Sequence, residues 1–73
     1  MENKRDRFVR LAERRVNKAL KDIRLIGNLS NRAAYSYTQE DVKKIFRALQ
    51  REIEAAHSRF TDAERGAEGD FKL

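Results

Sequence analysis

Five cations, Arg7, Arg10, Arg14, Lys18 and Lys21, recur at intervals of three or four residues near the start of this chain. On a helix at about 100° per residue, with Val9 set at zero, they fall between about 100° and 180°. No acid interrupts the row: Asp6, Glu13 and Asp22 fall on its flanks. The row covers about 21 Å at about 1.5 Å per residue. Like charges at this spacing repel by tenths of a kcal/mol per pair, so a helix selected only for stability would mix signs here. The chemistry such a row can do is to hold a polyanion. Each neutralised phosphate releases condensed counterions, and five contacts on duplex DNA would give a salt slope of roughly −4 to −5. The planar fork of Arg14, Arg15 or Arg24 also suits bidentate contact with a phosphate or a guanine. Docking on an acidic protein surface and plain solvation are the competing readings of the same face.

The chain offers little for other chemistry. It has no Cys and a single His among 73 residues, which excludes thiol nucleophiles and Cys-based metal sites. His57 flanks an apolar stripe with no positioned nucleophile beside it, so it reads as a core-edge residue. Glu52 and Glu54 point to different sides of a helix, and Glu40 and Asp41 read as first-turn acids. Gly66 and Gly69 lack the Lys-Ser or Lys-Thr of a phosphate loop. We therefore expect no catalytic residues, metal, cofactor or small-molecule substrate, and no enzymatic activity. No apolar run reaches the roughly 20 residues of a membrane span, and nothing behind Met1 reads as a signal peptide, so a soluble cytoplasmic protein is expected.

The elements that must carry the cations follow from the breakers. Pro is absent, and the three Gly are Gly27, Gly66 and Gly69. This pattern predicts an all-α chain: a helix over 3–27, a structured loop over 28–38, a helix over 39–61 and a flexible acidic tail over 62–73. Val9, Ala12, Val16, Ala19, Ile23 and Ile26 form the apolar seam of the first helix, and the cations lie almost opposite it. Gly27 reads as its stop, in the left-handed conformation that ends many helices. Val42, Ile45, Phe46, Leu49, Ile53, Ala56 and Phe60 form the second seam. Thr38 stands as its cap and Glu40–Lys44 as a supporting ion pair.

Two such helices fold back most simply as an antiparallel hairpin, residues 1–61. A single core this small rarely supplies more than about 3–5 kcal/mol. Leu11 and Leu25 also lie outside the first seam. Both points lead us to expect completion into a helical bundle, by self-association or by a larger protein partner.

The loop is longer than two helices need, and it holds Asn28, Asn31, Arg32, Tyr35 and Tyr37. Long structured loops often bind something, and tyrosine faces can stack on bases. The same residues can instead close the end of the hairpin and satisfy the last carbonyls of the first helix. The run Ile23-Arg24-Leu25-Ile26-Gly27-Asn28-Leu29-Ser30-Asn31-Arg32, with Tyr35, Tyr37-Thr38, Asp41-Val42 and Lys44-Ile45-Phe46, resembles a family of small bacterial helical proteins without an assigned activity. The resemblance spans about residues 8 to 60. It implies that the loop is a defining part of the fold, and it supplies no catalytic residue, ligand or partner. The function expected from the residues is a small accessory or regulatory subunit that meets DNA, RNA or a nucleoprotein through its basic helix face. The alternative is a protein–protein adaptor that completes a partner's bundle without touching nucleic acid.

Overall fold

The structure, a computed structural model, describes residues 1–68, with side chains as far as residue 64. It is all-α: α1 spans Lys4–Gly27, a short 3-10 turn spans Asn28–Ser30, and α2 spans Gln39–Glu68. The chain divides into two units, Met1–Ser36 and Tyr37–Leu73, each built on one long helix.

In the first unit the start of α1 is fixed by Asn3. Its backbone is extended, at φ −84° and ψ 175°, and its side-chain oxygen accepts the Asp6 N–H at 2.7 Å. That bond satisfies one of the donors left without a partner at a helix start, at a site where Asn is among the strongest caps. Asp6 in the first turn and Arg24 in the last both complement the helix dipole.

Helix α1 ends at Gly27, as the spacing predicts, but not in the conformation expected there. Gly27 does not adopt a left-handed conformation: it sits at φ −58° and ψ −32°, well inside right-handed helix space. No described residue has a positive φ. The helix tightens instead into the 3-10 turn, and the turn stops at Asn31, whose backbone swings to φ −70° and ψ 99°. The Asn31 side chain accepts the Ala33 N–H at 3.0 Å, and its carbonyl accepts the N–H groups of Ala34 and Tyr35 at 3.1 and 2.9 Å. An Asn that bonds its own backbone two residues on offers the chain an alternative to helix, which is why the 3-10 turn does not run on past Asn31.

In the second unit Thr38 and Asp41 cap α2 reciprocally. The Asp41 N–H donates to the Thr38 hydroxyl oxygen at 3.1 Å, and the Thr38 N–H donates to the Asp41 carboxylate at 2.9 Å. This is the capping-box geometry, with Asp in place of the usual Glu. The backbone bond to Thr38 and then its hydroxyl hold the Asp41 carboxyl below the ordinary aspartate value, and Lys44 adds a smaller push the same way. Glu40 pairs with Lys43, at 4.0 Å, and not with Lys44.

Helix α2 runs to Glu68, seven residues past the expected end at 61. No breaker stands at Thr61, whose hydroxyl instead turns back onto the His57 carbonyl at 3.4 Å. Ala63 and Ala67 are strong helix formers, and Gly66 alone is not enough to end a helix already propagating. The part of the expected tail over 62–68 is thus helical, and the rest lies outside the described residues.

Both seams form as the spacing predicts, but no described residue of either unit is buried. Val16, Ile53 and Phe60 are 54%, 60% and 58% exposed. A lone helix cannot cover its own stripe, so burying either seam takes a second element packed against it.

Candidate nucleic-acid interface

Every cation of the predicted row lies within the 24 residues of α1, and all five are exposed. The helix therefore presents Arg7, Arg10, Arg14, Lys18 and Lys21 on the side away from Val9, Val16 and Ile23, as the wheel requires.

Their electrostatic states differ. Arg10 is held by Glu2, which precedes the helix: Nε donates to one carboxylate oxygen at 2.7 Å and Nη2 to the other at 3.0 Å. This fork-on-carboxylate contact is the strong geometry for such a pair, and it raises the Arg10 pKa further, keeping a charge Arg never loses near neutral pH. Lys18 donates to Asp22 at 3.1 Å, one turn further on. Arg7, Arg14 and Lys21 form no salt bridge among the described residues. These three are seven residues apart, so they stand in line along the helix at intervals of about 10.5 Å.

Sequence reasoning missed Glu2. Eight residues separate it from Arg10, a distance that no helical pairing rule covers. It reaches back only because the extended Asn3 cap turns the preceding chain alongside the first turns. Arg5 is a further cation near the row: its guanidinium lies 5.8 Å from the centre of the Phe8 ring, within cation–π range.

The other residues singled out from sequence are dispersed. Leu11 is half-covered while Leu25 stays 54% exposed, so the two do not make one uniform outer patch. Asn28 caps the end of α1, its N–H donating to the Arg24 carbonyl. Asn31 holds the turn and Arg32 lies within it. Tyr35 is exposed and Tyr37 half-buried, and they belong to different units. Asn28 and Asn31 thus have structural work in the backbone.

Among the described residues, no three His, Asp or Glu side chains gather where they could hold a metal ion, and no helix is long and apolar enough to cross a membrane. A shallow hollow runs along α2, lined by Ala56, Arg59, Phe60 and Ala63. These stand at i, i+3, i+4 and i+7, the four residues that form a socket for a side chain of a facing helix. Comparison with protein-family models, with curated proteins and with solved structures finds no match to this chain.

Proposed function

We propose that this chain is a small non-enzymatic accessory or regulatory subunit that contacts nucleic acid, or a nucleoprotein assembly, through the basic face of α1. The observation that carries the reading is the line of Arg7, Arg14 and Lys21, exposed, free of salt bridges among the described residues and flanked by two cations held only by exposed acids. A phosphate backbone can take the place of Glu2 and Asp22, because exposed ion pairs are weak and exchange readily. The contact is sequence-independent in this form, since phosphate contacts fix position and carry no base information.

A salt titration tests the proposal. Three free cations predict a slope of log affinity on log salt near −2.7 for duplex DNA, and full engagement of five predicts about −4.5. Changing all five to Gln should flatten the slope towards zero. A shallow slope that the substitutions leave unaltered would remove nucleic acid as the partner.

The two apolar seams favour a second reading, a protein–protein adaptor whose apolar stripes complete a larger partner's bundle. It predicts weak oligonucleotide binding at physiological salt and a partner contact that survives the five substitutions.

A further inference from the structure

The α1 seam is spaced three, four, three, four, three, so it reads the same from either end. A helix with that property can be covered by an identical helix running the other way. We propose that the occupant of this seam is α1 of a second copy, packed antiparallel about a two-fold axis that passes between Val16 and Ala19.

The register follows from the spacing. Val9 meets the partner's Ile26, Ala12 meets the partner's Ile23, and Val16 meets the partner's Ala19. Each outer layer sets a smaller side chain against a larger one, and the central layers hold only Val and Ala. Such a taper lets two backbones approach closely at the axis while the ends stay filled. The alternation of three and four averages 3.5 residues, the repeat that keeps a seam facing its partner in a left-handed two-helix coil.

Charge supports the same register. Arg15 and Asp22 flank the seam on the same side. In this pairing Arg15 lies beside the partner's Asp22, and the symmetry axis repeats the contact. Arg15 is exposed and forms no salt bridge among the described residues, while Asp22 uses one carboxylate oxygen on Lys18. The seam of α2 lacks this fit. Its own antiparallel pairing through Val42–Phe60 and Phe46–Ala56 would place Glu52 against the partner's Glu52, two like charges at the axis. The basic row stays outward in the α1 pair, because Arg7, Arg14 and Lys21 lie opposite the seam. The proposal thus stands or falls separately from nucleic-acid binding.

Sedimentation equilibrium of the full chain tests it. The wild-type chain should be dimeric at about 10–100 µM, since a self-associating small chain is stable only as its concentration allows. Arg15→Asp and Asp22→Arg each turn two attractions into repulsions, and each should weaken dimerisation roughly tenfold. The double variant R15D/D22R should recover to within about twofold of wild type, because it restores opposite charges across the interface. Residues seven apart on one helix do not touch, so that recovery has to come from another copy. Arg15→Gln and Asp22→Asn, which remove attraction without adding repulsion, should show smaller losses with helicity retained. A monomer throughout the range overturns the proposal, as does a double variant no better than the single ones. The latter result is expected if α2 covers the α1 seam, since Arg15 and Asp22 would then face different residues.

Discussion

Replacing Gly27 by Ala asks directly what ends α1. In the structure Gly27 has right-handed helical dihedrals, and a Cβ placed there meets nothing within 4 Å. Ala in a helix interior is favoured over Gly by roughly 0.5–1 kcal/mol, because the unfolded chain loses freedom it would otherwise have to give up. Gly27 is the last α-helical residue before the 3-10 turn, so the lower figure applies, about 0.5 kcal/mol. For a domain of this size that raises the melting temperature by about 2–4 °C. The assay is thermal unfolding followed by circular dichroism, at one fixed protein concentration so that self-association does not shift the midpoint. A left-handed Gly27 would give the opposite sign, since Ala there carries about 1–2 kcal/mol of strain. A lower midpoint for Gly27→Ala would therefore refute the right-handed conformation of Gly27 and the 3-10 ending of α1.

Asn31→Ala removes the acceptor of the Ala33 N–H and should cost about 0.5–1.5 kcal/mol in urea unfolding, with greater fraying at the end of α1 by hydrogen exchange. Thr38→Ala should cost about 1 kcal/mol through loss of the α2 cap. The Asp41 carboxyl has its pKa lowered in the folded chain, so its contribution is present above the ordinary aspartate range and lost as pH falls through the lowered value. Acid titration of helicity should accordingly show a transition below about pH 4 that Asp41→Asn abolishes. Glu2→Gln frees Arg10 and should strengthen binding of a short duplex severalfold at low salt, an effect that shrinks as salt rises; unchanged affinity would mean that Arg10 does not reach the phosphates.

Both helices were legible in the sequence because their periods are long and uninterrupted. The Thr38 start was legible too, since a hydroxyl and an acid three residues apart carry their own local chemistry. The end of α1 at Gly27 was legible, but its conformation was not, because Gly tolerates the left-handed region without requiring it and the chain tightens into a 3-10 turn that the bonds of Asn31 then close. The extension of α2 to Glu68 escaped notice because a stretch dominated by polar residues resembles a tail until its alanines are weighed. The basic row was visible as a pattern, but its uneven charge state was not. Lys18–Asp22 is a standard i,i+4 pair, whereas Glu2–Arg10 depends on how a non-helical cap directs three residues of chain.

The bonds that open each helix span only three residues, from Asn3 to Asp6 and from Thr38 to Asp41. Neither start has to wait for a distant part of the chain to arrive, so the slow search that limits sheet proteins is missing from this step. Nucleation at each end proceeds on the microsecond scale of isolated helices. During synthesis α1 can thus be wound and capped while the codons for Thr38 are still being read, which puts its apolar stripe on display before α2 exists.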